Sequence, residues 1–220
     1  MNTEKALKFL KDLAKHNDRG WFDTNKGRYL EVKADFESFA AELLDKMIVF
    51  DQSLEGLDPR KMTFRIYRDV RFSKNKKPYK TNLGVAFSSV GKSMATPGYY
   101  FQLEPGNKSF VAMGLFMPQS ENLASIRQEI DYNGEALKKV FVDAKFKKYF
   151  TKFWQDDKLK TTPKGYAKDH PHIEWLRLKS FIVEYVFKDE EVSDKNFVKK
   201  LTGVMHAAKP LNDFLSEAIV

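Results

Sequence analysis

Cysteine is absent from the 220 residues. Disulfides, thiol nucleophiles, iron–sulfur clusters and Cys-based zinc sites are therefore excluded. A reducing compartment suits such a chain. Long apolar runs are missing as well, and none approaches the ~18 residues that a membrane span requires. The opening MNTEKALKFLKDLAKH is amphipathic and lacks the apolar core of a secretory leader. The expectation is a soluble cytoplasmic protein with no membrane partner. There is no Gly-rich P-loop, dinucleotide fingerprint, nucleophilic Ser elbow or zinc ribbon. Histidine is scarce, at four residues, and no acid cluster shows standard ligand spacing. No metal and no cofactor is expected, and no reaction can be read from the residues.

What is present is a long enough chain, 42% hydrophobic and 14% aromatic, to bury one sizeable core. Nineteen Phe and nine Tyr favour a sheet-containing core. Without repeats, low-complexity tracts or a long linker, residues 1–220 read as one domain.

The positive charge is concentrated. Of a net charge of +8, most resides in Phe64 to Thr81, FRIYRDVRFSKNKKPYKT, where seven basic side chains face one acid. Side chains alternate faces along a strand. Met62, Phe64, Ile66, Arg68, Val70 and Phe72 would form an apolar face broken only by Arg68. Thr63, Arg65, Tyr67, Asp69, Arg71 and Ser73 would form a polar one. Arg68 then requires a bulge that re-aims it or a partner within the protein. A solvated strand face is the plain alternative. Arg in place of Lys across the strand favours an anion site, because the guanidinium fork grips phosphate or carboxylate at two points.

Amphipathic periodicity predicts helices over residues 3–16, with Thr3 as cap, and from Asp23 or Thr24 to about 50, after a break at Asn17–Gly20. The second would bury Tyr29, Val32, Phe36, Phe39, Ala40, Leu43, Leu44 and Met47. Strands are expected at 62–72, 83–90, 98–104, 109–116 and 180–187. A loop is expected over 91–97, and a hairpin turn at Pro105–Lys108. Helices are expected over 119–131, 133–150, 173–178 and 193–219, the last interrupted near Pro210. The fold class is α+β: a mainly antiparallel sheet of about five strands, packed by N- and C-terminal helices.

Several stretches carry a family likeness. They are Asn17…Trp21-Phe22…Asn25-Lys26…Tyr29 and Phe64-Arg65…Tyr67-Arg68-Asp69…Arg71-Phe72-Ser73…Lys76…Pro78-Tyr79-Lys80-Thr81. Further along come Pro97-Gly98-Tyr99-Tyr100…Glu104-Pro105-Gly106, Gly114-Leu115…Met117-Pro118, Ile126-Arg127…Ile130-Asp131 and Pro163-Lys164-Gly165-Tyr166…Asp169-His170-Pro171. Together they resemble the domain-of-unknown-function family 2461 over nearly the whole chain. One departure is Asn75, where the family motif more often has Asp. The resemblance implies a mixed α+β fold and no particular chemistry.

The anion site is expected at Arg65, Arg68 and Arg71, with Asp69 orienting them and Ser73, Tyr79 and Lys80 adding donors. Arg71 and Lys80 should line one pocket. Lys164, in a Pro-Lys-Gly-Tyr turn where Gly admits close backbone approach, is a further candidate. Asp69, Tyr79, Glu104 and His170 are the nominees for proton transfer. His170 and His172 read as loop-structuring residues. The expected partner is a small phosphate- or carboxylate-type anion, with an acidic or phosphorylated small-molecule substrate if the protein is an enzyme. Two alternatives stand beside it. Interleaved basic and aromatic residues suit a single-stranded nucleic-acid-binding module. An Arg cluster paired internally would be a structural scaffold.

Overall fold

The structure, a computed structural model, describes residues 1–93 and 95–219; Met94, within the expected 91–97 loop, lies outside the described residues. Helix α1 (Thr3–Lys15) is capped by Asn2, not Thr3, through the Asn2 side chain, which accepts from Lys5 N–H at 3.0 Å. It buries Ala6, Leu7, Phe9, Leu10 and Leu13. The predicted break at Asn17–Gly20 is shorter than expected, because α2 (Arg19–Thr24) begins within it. Asp18 is the cap, accepting from Trp21 N–H at 2.9 Å. Helix α3 (Lys26–Ile48) follows and buries the predicted stripe from Tyr29 to Met47. A 3₁₀ turn (Gln52–Leu54) and a short α4 (Pro59–Met62) connect α3 to the basic segment.

Four strands form one antiparallel sheet in the order β1-β2-β3-β4: β1 (Leu83–Ser88), β2 (Gly98–Leu103), β3 (Ser109–Leu115) and β4 (Phe181–Phe187). The fold class is α+β as expected, with one strand fewer. Residues 62–72 do not form the fifth, because their backbone changes partner midway. Thr63 bridges to Val85, and Phe64 N–H donates to Gly84 O at 2.9 Å on the outer edge of β1. From Ile66 the segment pairs instead with its own return. Lys80 N–H donates to Ile66 O at 2.7 Å and Arg68 N–H to Pro78 O at 2.8 Å, while Tyr67 bridges Tyr79. Neither pairing runs long enough to make a ladder.

Between β3 and β4 lie α5 (Ser120–Val142), α6 (Ala144–Lys147) and α7 (Ile173–Leu176). Helix α5 merges the two helices expected over 119–150 as far as Val142, bending at Asn133 (φ −128°, ψ 27°). Next to the bend, Gly134 leaves room for His172: a Cβ there would stand 2.2 Å from the imidazole. Helices α8 (Asp189–Val192), α9 (Phe197–Ala207) and α10 (Lys209–Ala218) close the chain. Pro210 sits in the first turn of α10, where a missing N–H costs nothing.

The two faces of the sheet differ. Val85, Phe87, Tyr99, Phe101, Leu103, Val111, Leu115, Phe181, Val183 and Phe187 point one way and are buried. Phe39 and Phe197, from α3 and α9, pack on Phe101, each ring 5.6 Å away. On the opposite face stand Gly84, Ala86, Tyr100, Gln102, Phe110, Ala112, Ile182, Glu184 and Val186. Among the described residues, two extended segments and the end of β3 flank this face.

Candidate functional site

The 64–81 segment holds its predicted residues in three separate places. Arg68 is half-buried and serves the backbone: Nη1 donates to Lys77 O at 2.9 Å and Nη2 to Ser73 Oγ at 3.3 Å. Its guanidinium closes the loop 69–77, and Ser73 is its partner. Arg71 is 77% exposed and grips Asp69, with Nε–Oδ1 at 3.0 Å and Nη2–Oδ2 at 2.7 Å. Those bonds, with the Arg71 backbone N–H and the nearby Arg65 charge, hold the Asp69 carboxyl below its usual range. Phe72, expected on the apolar face, is 95% exposed.

Tyr79 is buried and stacked on Phe22, with centroids 4.0 Å apart and planes at 15°. Asn17 reads its backbone twice: Nδ2 donates to Tyr79 O and Oδ1 accepts from Tyr79 N–H, both at 3.0 Å. Burial raises the phenol pKa, and Asp23 and Tyr67 add to the rise. Tyr79 is thus an anchor between the α2 corner and the loop.

Lys80 goes elsewhere. Its Nζ lies 5.4 Å from the centroid of Phe64, and Lys92 Nζ lies 5.6 Å from the same ring. Desolvation lowers the Lys80 pKa, and the Arg65 and Lys92 charges lower it further. Among the described residues, Arg65, Lys80 and Lys92 have no carboxylate within 4.0 Å. Two lysines thus meet over one aromatic ring without a carboxylate partner, and the Arg65 charge is near enough to act on Lys80. Lys80 and Arg71 have different neighbours: Phe64, Arg65 and Lys92 for the first, Asp69 and Phe72 for the second.

Lys164 is exposed in the loop before α7. Its neighbour Tyr166 faces Arg127 and Asp131 of α5, away from the 64–81 segment. His170 is engaged at both nitrogens. Nε2 lies 3.0 Å from Asp131 Oδ1, and Nδ1 accepts from His172 N–H at 3.0 Å. That leaves no ring nitrogen for proton transfer. Among the described residues no group of three His, Cys, Asp or Glu is placed to hold a metal ion. No described helix is long and apolar enough to cross a membrane.

The feature that sequence reasoning missed is a cavity of about 400 Å³ on the open face of the sheet. Phe64, Tyr100, Phe110, Ala112, Phe116, Trp154, Ile182 and Glu184 are among its lining residues. Phe64 stands on the β1 edge. At the β4 edge Trp154 docks in the same manner, its N–H donating to Ile182 O at 2.9 Å. Each extended segment covers an edge and raises an aromatic wall. Tyr100 leans over Gly84, where a Cβ would meet its hydroxyl at 2.9 Å. Its ring lies 6.0 Å from Phe64 and 5.7 Å from Phe110, and that of Phe116 lies 5.9 Å from Trp154.

The polar groups on this floor form a directed chain. Tyr100 Oη donates to Gln102 Oε1 at 2.7 Å, and Gln102 Nε2 donates to Glu104 Oε2 at 2.6 Å. Burial, assisted by Glu104, pushes the Tyr100 phenol up to about 12. Glu104, nominated as a base, is here the acceptor that orients the chain.

A signal for the cavity was present in the strands. GYYFQL and SFVAMGL are apolar at nearly every position, whereas an antiparallel strand with one wet face alternates. Both faces therefore needed cover, which helices supply on one and extended segments on the other.

Neither a curated protein nor a solved structure matches the chain. A family does, over residues 5–214. That span includes both edge segments, the whole sheet and every residue of the cavity. By this match the chain belongs to the conserved hypothetical protein family DUF2461.

Proposed function

We propose that the protein binds a small amphipathic anion on the open face of its sheet. An apolar, preferably aromatic, body enters the cavity between Phe64 and Trp154. A carboxylate or phosphate-type group meets Lys80, Lys92 and Arg65 at the β1 edge. The observation that carries this reading is the convergence of Lys80 and Lys92, neither with a carboxylate within 4.0 Å among the described residues, on Phe64, a ring that is itself a wall of the cavity, with the Arg65 charge acting on Lys80. Cavities of this size with mostly apolar walls and few polar groups are typical of small-molecule sites. The anion site anticipated in the basic segment thereby narrows. Arg65 and Lys80 remain in it, and Lys92 joins them. Arg68, Ser73 and Tyr79 build the loop that presents Lys80, and Asp69 and Arg71 pair with each other in solvent.

Biphenyl-4-carboxylate and its neutral carboxamide test this by calorimetry and Trp154 emission. The carboxylate should bind the wild type. A hydrogen bond to a charged group is worth about 1.5–3 kcal/mol, so Lys80→Ala should weaken the carboxylate roughly tenfold or more. Lys92→Ala, more exposed, should weaken it less. Carboxamide binding should respond to neither, and Arg71→Ala and Lys77→Ala should change nothing. Carboxylate binding that is insensitive to Lys80→Ala would remove the anion site. Binding of an oligothymidylate with steep salt dependence, without biphenyl binding, would assign the surface to single-stranded nucleic acid instead.

A further inference from the structure

The cavity is electrically two-ended. Its cations gather at the β1 edge, and Glu184 on β4 is a charged lining residue at the other side of the sheet. The register places Ala86, Tyr100, Ala112 and Glu184 in one row across the four strands. Ala112, between Tyr100 and Glu184, is small, so no bulky side chain separates the two along this row. Glu184 is exposed and has no cation within 4.0 Å among the described residues. Strands lie about 4.8 Å apart, so three to four spacings separate Glu184 from the Phe64 edge by roughly 14–19 Å.

The floor polarity points the same way. A carboxylate only accepts, so Glu104 compels Gln102 to present its NH₂ to Glu104 and its oxygen to Tyr100. The Tyr100 proton is thereby committed to Gln102, and the phenolic oxygen keeps only lone pairs for other partners. Glu184 likewise only accepts. Along the row from Tyr100 to Glu184 a ligand meets acceptors, and among the described residues the cationic donors stand at the lysine end.

Resting on the binding reading above, we infer that the ligand is a zwitterion. Its anionic group meets Lys80 and Lys92, its aromatic body lies over Tyr100 and Phe110, and an ammonium at its far end is held by Glu184. The competing explanation is that Glu184 merely guards an edge strand against pairing with another chain, a common use of charge there. That role involves no ligand, so a pair of ligands separates the two explanations. It is also already served in part, since Trp154 covers the edge at Ile182.

The probes are biphenyl-4-carboxylate and 4′-(aminomethyl)biphenyl-4-carboxylate, rigid rods with the same anion and body. The second adds an ammonium at a distance that, with one hydrogen bond at each end, suits the separation of the two edges. The aminomethyl compound should bind the wild type roughly tenfold more tightly, the lower range for a charged hydrogen bond. In Glu184→Gln that advantage should vanish, and continued binding of biphenyl-4-carboxylate shows that the variant is folded. Equal wild-type affinity for both rods, or an advantage that survives Glu184→Gln, overturns the zwitterion and leaves the anion site standing. Failure of both rods to bind overturns the binding reading itself, and this inference with it.

Discussion

At the scale of the residue, two arginines three positions apart have opposite fates. Arg68 reaches a carbonyl and a hydroxyl of its own loop, whereas Arg71 holds a carboxylate in open solvent. Exposed ion pairs contribute little, because water already satisfies both ions. A guanidinium that ties two backbone stretches closes a loop, and its removal leaves a carbonyl to find water. Arg68→Ala should therefore cost about 1 kcal/mol after discounting for partial exposure. That corresponds to a fall in Tm of about 2–4 °C for a chain of this length. Arg71→Ala should leave Tm unmoved. Differential scanning calorimetry on both variants checks this, and equal losses would show that the loop is held by charge and not by geometry. Alternation sets the two on opposite faces and asks for a partner for Arg68 within the protein, which it has, but each is still an Arg in one basic run. What separates them is whether a carbonyl or a carboxylate is nearest, which spacing alone does not report.

At the scale of the element, the α1–α2 corner and the basic segment are one unit. The Asn17 side chain pairs with Tyr79 as a neighbouring strand would, one donor and one acceptor, and Phe22 stacks on the same residue. Asn17→Ala leaves the half-buried N–H and C=O of Tyr79 without partners, at a cost of about 1–3 kcal/mol. Asn17→Asp keeps the acceptor for the N–H but sets a carboxylate against the Tyr79 carbonyl, so it should rescue only part of the loss. Urea unfolding gives the energies. Amide exchange should show that Arg68 and Lys80, whose N–H groups bond within the segment, lose protection in both variants before the sheet does. Full rescue by Asp would mean that the Tyr79 carbonyl does not need its donor. The elements themselves were largely legible. The stripe from Tyr29 to Met47 and the turn at Pro105–Lys108 follow from period and turn chemistry. The misread strand at 62–72 has the right alternation and the right extended backbone. Alternation describes a side chain's two faces, however, and says nothing about which backbone lies alongside, and here that neighbour changes at Ile66.

For the whole molecule, the strands signalled that both sheet faces need cover, but which residues wall the cavity was illegible for a related reason. Its walls come from positions 64, 100, 110, 116, 154 and 184, and aromatic residues in a Phe-rich chain look like core until the helices are counted against two sheet faces. Long-range closure also sets the acid response. Asp189, at the start of α8, accepts from Gly106 N–H at 3.0 Å and Asn107 N–H at 2.8 Å at the hairpin turn, and meets Lys11 of α1 at 3.3 Å. Partial burial pushes its pKa up, but the Asn107 and Gly106 amides and Lys11 outweigh that and lower it. A depressed folded pKa stabilises the protein fully above the unfolded carboxylate value, near about 3.9. The contribution is lost as pH falls through the lower, folded value. Asp189→Asn should thus lower Tm at neutral pH, and the gap to wild type should narrow below about pH 4. A gap that stays constant across that range would assign the effect to shape and not to charge.

The tryptophans add an optical consequence of how the cavity is walled. Trp21 is stacked on His16 at 5.9 Å, and Trp175 lies flat on His172 at 5.1 Å with planes only 4° apart. Trp154 stands against Phe116 at the cavity. Trp154 is the tryptophan that lines the cavity, while the other two are packed on histidines elsewhere. A visitor in the cavity therefore alters the light of one indole against a constant background from two, and becomes visible without a label.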